Sequence, residues 1–433
     1  MHRPIIQQIK KLSIPVPQTA ALDNGIPLTI INTATQPVAR IDVLSEGGRC
    51  DSQSQLTSEF VASMLREGTE SMTSDEIADK VDFYGSWISG EATSHNTTHS
   101  LYATNRHFNK VLPIFADMIF HPSFPEHELS NLKTSTKNRL LTYLQKVNYL
   151  ASSEFAKKYF GQNHNLGRKT DNDEIHSINR QQLFDFHHTW IRPSNMKIIV
   201  SGAVPKETIE QINAIFGSYP DKSTTGNNSA SDSPMCPFCP DLRIVNKSDA
   251  IQSAIRIGLP AIQRKDPEYI PLRILITALG GYFGSRLMTN IREEKGYTYG
   301  IYAGLTGYRN NAFITITSQC ATEYTFNVIA EIKHEMERLK TDLIPEEELS
   351  RVRSYMFSDL ARTLDTPFSI GDYYASLIKN QINLDYFNRQ VEIINCISAS
   401  ELREIARKYL DTDHMLTIIA GNKIKLEKGT FYE

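Results

Sequence analysis

No stretch of this 433-residue chain approaches the roughly 20 consecutive apolar residues that a bilayer-spanning helix needs. Basic charge is not in excess either. Lysine and arginine number 46 against 49 aspartates and glutamates, a formal net charge of −3. No global positive field therefore exists to hold nucleic acid or an anionic membrane surface. The opening residues, MHRPIIQQIKKLSIPVP, are basic but lack the apolar stretch and small-residue cleavage site of a secretory signal. Cysteine is scarce. Five in so long a chain, an odd number, make no disulfide framework. These absences predict a cytoplasmic protein with no nucleic-acid partner and no membrane partner.

What is present suits large buried cores. Apolar residues make up 40% and charged residues 22%, and the length suggests two or more domains. One segment, YPDKSTTGNNSASDSPMCPFCP at 219–240, is rich in Ser, Asn, Gly and Pro and reads as an exposed linker. It separates an N-terminal half, 1–218, from a C-terminal half, 241–433. The halves repeat one order of patterns. Strand-like runs come first (IPLTIINT and VARIDVLSEGG; LRIVN and SAIRIGLPA), then a helical run (LTSEFVASMLREG; PEYIPLRILITALGG). A further strand follows (HNTTHSLYATN; NAFITITSQ), then long amphipathic helices over 126–160 and 345–380, then a helix and a last strand (MKIIVSGAV; MLTIIAGN). Parallel order across a linker predicts an α+β fold built from two duplicated halves.

The most informative stretch is GGYFGSRLMTNIREEKGYTYG at 280–300. It holds the Gly280-Gly281 pair, Phe283, and Arg292 and Tyr299 seven positions apart. Weaker signals lie in order along the chain: EGG before the first helix, GTESMTSDEIADKVDFYGSWISG after it, MIFHPSF, and Trp190, Pro193 and Asn195 in W-x-x-P-x-N. Over roughly residues 15–425 the chain resembles the pitrilysin/insulinase-like zinc metallopeptidases of the mitochondrial-processing-peptidase type. The resemblance implies two homologous α/β halves, each an antiparallel sheet packed with helices. It also implies that Arg292 and Tyr299 reach the scissile peptide of a bound substrate. Gly280, Gly281 and Phe283 fall in the loop associated with substrate handling in the non-catalytic subunit of processing peptidases.

Active members of that family carry H-x-x-E-H on the first helix, two zinc ligands around a general base, with a later Glu completing the set. Placed by the flanking Met64 and Gly68-Thr69, the motif falls here on Glu59-Phe60-Val61-Ala62-Ser63. The ligand positions become Glu59 and Ser63, and the base position becomes Ala62, which can neither ligate nor carry a proton. The distal Glu falls near Asn138 and Arg139. Phe60, Val61, Met64 and Leu65 give the same helix an apolar face suited to packing alone. Other metal candidates are weaker. His95 and His99 sit in a strand-like run, where i and i+4 lie ~13 Å apart. His187-His188 are adjacent near a helix end. Cys236 and Cys239 have C-x-x-C spacing, but in the linker and without a second pair.

The expectation is therefore a chain that binds no cofactor itself and is inactive alone. It would complement a homologous zinc-bearing subunit in a heterodimer that cleaves peptides, supplying Arg292 and Tyr299 to the partner's zinc site. The alternative is a catalytically inert scaffold or peptide-binding protein of the same fold. An active homodimer is opposed by Ala62. The first helix of each half is expected to line the interior between the halves.

Overall fold

The computed structural model describes residues 11–34, 36–52, 54–221 and 237–429. Most of the 219–240 connection, Cys236 included, lies outside them. Alternating apolar and polar residues build two separate sheets. The first contains β1 (Gln18–Ala21), β2 (Pro27–Asn32), β3 (Val38–Glu46), β4 (Trp87–Ala92), β5 (Asn96–Thr104) and β6 (Met196–Gly202), in the order β1-β2-β6-β3-β5-β4. The second contains β7 (Asp241–Asn246), β8 (Gln252–Pro260), β9 (Thr298–Gly307), β10 (Ala312–Ala321) and β11 (Leu416–Gly421), in the order β7-β11-β8-β10-β9. With β1 set aside, the two orders correspond strand for strand. Even the exceptions match: β2 pairs with β6 in parallel, as β7 does with β11, and the other pairings are antiparallel. Among the described residues no helix is long and apolar enough to cross a membrane.

Each sheet has an outer face and a face turned to the other half. The outer face of the first sheet presents Ala39, Ile41 and Val43 of β3 and Leu101 and Ala103 of β5 to helices of its own half. The first helix, Gln55–Met64, belongs to this outer layer, with Leu56, Phe60, Val61 and Met64 in the same core. The first half's opening helix therefore does not line the interior between the halves, as the repeated order had suggested. Its apolar stripe is spent on its own sheet.

The facing sides are covered by exchange. The run over 126–160 breaks at Gln145-Lys146 into helices Glu126–Leu144 and Val147–Phe160, and the second of these packs on β8 and β11 of the other half. Phe155, Tyr159 and Phe160 meet Phe313, Leu416 and Ile418 there. Gly258 makes room, since a Cβ at that position would stand 2.3 Å from the Phe155 ring. Reciprocally, the 345–380 run breaks into Glu346–Arg362 and Pro367–Lys379, and the latter packs on β2 and β6 of the first sheet.

An arginine locks the second crossing. Arg40 in β3 is 3% exposed. It pairs with Asp42 at 2.7 Å and with Asp372 on the crossing helix at 2.7 Å. It also donates to Tyr102 Oη at 2.9 Å and to the Phe368 carbonyl at 3.1 Å. Burial pushes the Asp42 carboxyl up, and Arg40 and the Ser100 hydroxyl at 2.6 Å work against that rise. Removing one member of a buried pair strands the other charge, at a cost of about 3–5 kcal/mol. We expect Arg40→Met to destabilise the first half by that amount in urea unfolding followed through buried Trp190. Arg40→Met with Asp42→Leu should regain most of the loss. A change below ~1 kcal/mol in the single variant would show that the ion pair does not hold the crossing.

Candidate functional site

The 280–300 stretch is built on the second sheet's outer core. Helix Tyr269–Ile276 buries Ile270, Leu272, Ile274 and Leu275, then widens into a turn over Thr277–Gly281. That turn lies so close to β9 that a Cβ on Gly280 would stand 2.6 Å from the Ala303 Cβ and 2.8 Å from its nitrogen. Glycine is therefore required at 280 for steric reasons. At Gly281 the nearest atom would be Thr277 Cβ at 3.2 Å, a lesser demand.

A second wide turn, Met288–Glu294, carries Arg292. It is pinned from below. Arg286 forks onto Glu348 at 2.8 and 3.1 Å, and Asn290 donates to Glu331 at 3.0 Å and Glu335 at 2.8 Å. Gly296, at φ +67, takes the left-handed conformation that turns the chain into β9. Tyr297 stacks on Tyr324 with centroids 4.7 Å apart.

Arg292 is half-buried and lies over the Phe283 ring, 4.5 Å from its centroid. Among the described residues it has no carboxylate at ion-pair distance, although Glu293 and Glu294 adjoin it in sequence. Stacking orients a guanidinium while leaving its N–H edge free. Tyr299 stands at the start of β9 with 90% of its surface exposed, and Phe283 is 61% exposed. β9 is the sheet's edge strand, paired only with β10. The structure thus joins Arg292 to Phe283 on a turn that packs on β9, an edge strand whose second residue is the exposed Tyr299. Tyr299 packs against neither of them.

The first helix presents no such set of free groups. Glu59 is engaged by Arg49 at 2.9 Å. Ala62 is buried, and its carbonyl abuts β4 so closely that a Cβ on Gly90 would stand 2.2 Å away. Ser63 offers only a hydroxyl. On helix Glu126–Leu144, Asn138 and Arg139 are exposed, whereas Leu129, Thr136 and Leu140 form the buried face. The buried residues flanking these two positions, Thr136 and Leu140, carry no carboxylate either. These side chains do not fit a zinc ligand set. No group of three or more His, Cys, Asp or Glu is arranged to hold an ion among the described residues.

Of the other candidate histidines, His95, His99 and His187 are buried and His188 is exposed. His99 faces the outer helix layer from β5 at 3% exposure, and its ring nitrogens lack hydrogen-bond partners. Burial lowers its pKa to about 4, with His187 adding to the effect. His187, on helix Arg180–Trp190, meets the Ile119 carbonyl at 2.7 Å through Nε2. Burial takes it to about 4 as well, opposed by that carbonyl. Cys239 is exposed and free; its pairing with Cys236 lies outside the described residues.

Two family profiles match the chain. Residues 29–173 match "Insulinase (Peptidase family M16)", and residues 177–356 match "Peptidase M16 inactive domain". A Bacillus subtilis (strain 168) protein called uncharacterized zinc protease YmxG is 25% identical over 405 residues, covering 92% of this chain and 96% of that one. A second protein of that organism, called probable inactive metalloprotease YmfF, is 18% identical over 357 residues, covering 77% and 82%. The crystal structure of a peptidase M16 inactive domain from Pseudomonas fluorescens shares the fold. Its TM-score is 0.84 at 20% identity, covering 94% of this chain and 98% of that one.

The buried imidazoles set a pH dependence. Both folded pKa values, about 4, lie below the ~6.5 of an unfolded histidine. Between these values the unfolded chain binds more protons. The contribution is complete above ~6.5 and is lost as pH falls toward ~4, on the order of 3 kcal/mol for each ring. Near pH ~5, His99→Leu should reduce the slope of unfolding free energy against pH by about one proton, or ~1.4 kcal/mol per pH unit. An unchanged slope would mean that His99 is protonated in the native chain.

Proposed function

The chain belongs to the insulinase (peptidase M16) family, and from that premise we propose that it is the non-zinc-binding subunit of a two-chain zinc endopeptidase. In this reading a homologous partner holds the metal and the hydrolytic water, and this chain lends Arg292 and Tyr299 to the bound peptide. One observation carries the proposal: an arginine with no carboxylate partner among the described residues lies over Phe283, on the turn that leads into an edge strand bearing an exposed tyrosine. As a peptide carbonyl is attacked, its oxygen gains negative charge. A guanidinium N–H and a phenol O–H held near that oxygen stabilise the charge without moving. The unpaired edge of β9 suits an extended peptide, which would pair through its backbone. Folded proteins lack such free strands, so unstructured peptides are the expected substrates.

The second reading, an inert scaffold or peptide-binding protein, is favoured by the match of residues 177–356 to the family's inactive domain. Turnover by a reconstituted pair separates the two.

Two outcomes follow from the proposal. Metal analysis of the purified chain should find no stoichiometric zinc. One zinc per chain, lost on substitution of Glu59 or Ser63, would contradict it. With a zinc-bearing homologue the chain should form an active pair. Arg292→Ala or Tyr299→Phe should then lower kcat roughly 10²-fold with assembly intact, because the lost donor acts on charge present only in the transition state. Unchanged turnover in both variants would leave the scaffold reading.

A further inference from the structure

The two facing sides, alike in topology, differ in charge. β8 takes the place of β3 in the shared strand order. Asp42 of β3 lies opposite Ile199, three residues before Gly202 at the end of β6. Arg256 of β8 lies opposite Ile418, three residues before Gly421 at the end of β11. Arg256 is thus the positional counterpart of Asp42, and Ala254 is that of Arg40. In the first sheet these positions hold a buried pair closed by Asp372. In the second they hold an arginine and an alanine.

Arg256 is left without an anion. Its guanidinium carbon lies 5.2 Å from the Phe155 centroid, and Nη1 donates to Ser152 Oγ at 3.1 Å. Its Nε is buried without a hydrogen-bond partner, and among the described residues no carboxylate pairs with it. The group lines a cavity of about 500 Å³ with Asn148, Ser152, Tyr302 and Thr317, and no acidic residue is in the lining. Gly300 and Tyr302 of β9, one and three residues after Tyr299, also border it. The first turn of helix Val147–Phe160 adds the positive end of its dipole.

We infer that this cavity is a carboxylate-binding subsite, in which Arg256 receives a negative group of the peptide whose backbone runs along β9. A half-buried guanidinium loses hydration without regaining it from the protein, and a carboxylate matches its fork. The inference rests on the peptide-binding reading above and names the substrate class: peptides bearing a carboxylate, in an acidic side chain or at the C-terminus.

Binding to the full chain tests it. Three short, labelled, otherwise neutral peptides would be compared by fluorescence anisotropy. One carries an aspartate and an amidated end. The second has asparagine in place of that aspartate. The third has the asparagine and a free C-terminal carboxylate. One carboxylate peptide should bind roughly tenfold more tightly than the uncharged one, and which of the two does so identifies the source. Arg256→Gln should abolish the advantage, and Arg256→Lys should keep part of it. Thermal unfolding checks each variant; if Arg256→Gln does not fold, a reduced advantage in Arg256→Lys decides. Equal binding of all three, or an advantage that survives in Arg256→Gln, overturns the subsite and leaves the roles of Arg292 and Tyr299 standing. Binding of none overturns the subsite, and turnover of the reconstituted pair judges the wider reading separately.

Discussion

Everything in this molecule depends on the exchange of two helices. A sheet has two faces, and each must be covered for its backbone and apolar side chains to leave water. Neither half covers both faces of its own sheet. Val147–Phe160 covers the second sheet and Pro367–Lys379 covers the first. Separating the halves would expose Phe155, Phe160 and Phe313 on one side and Ile31, Leu44 and Ile199 on the other. At roughly 1.5–3 kcal/mol for each large side chain uncovered, such opening would cost about as much as the whole net stability of an ordinary domain. Two-sheet geometry is thereby fixed, and with it the position of β9 relative to the crossing helices. A site along β9 is held on a rigid frame.

Duplication gave both halves one scaffold, and the residues that have diverged are those on the facing sides. The outer cores use the same kinds of apolar residue: Ile41 and Val43 in one, Ile255 and Ile257 in the other. On the facing sides Arg40 and Asp42 are answered by Ala254 and Arg256. The small residues diverge in the same way. Gly258 admits the Phe155 ring, whereas Leu44 at the matching position joins the apolar layer. One crossing is therefore sealed by charge and the other by aromatic packing, and only the second leaves a cation beside open space.

Much of this was legible in the sequence. Alternation marked β3, β5, β8 and β10, helical periodicity marked the long runs, and their repetition foretold two matching sheets. The exchange was not legible, because periodicity shows that the 147–160 run has an apolar face but not which sheet it meets. Edge strands β4 and β9 were missed for a related reason. Their glycines, Gly90, Gly300 and Gly304, break the pattern that a half-buried strand shows. Around Arg292 the spacing to Tyr299 could be read, but the Phe283 stack could not, since a wide turn brings together residues nine apart.

Packing explains what the first helix kept. Phe60, Val61 and Met64 are at most 1% exposed, and their burial, about 1.5–3 kcal/mol each, holds the helix in place without a metal. Nothing comparable explains the other end of the molecule. Tyr299 and Phe283 leave most of their surface in water, and among the described residues Arg292 has no acidic partner to offset its partial desolvation. Such residues add little to folding, so stability gives no reason for an aromatic, an arginine and a tyrosine to stand together at an open strand edge. The first helix retains what the fold requires and lacks the donors of a zinc site. The 280–300 segment carries exposed groups that packing does not explain, and the proposed peptide-binding role rests on that contrast.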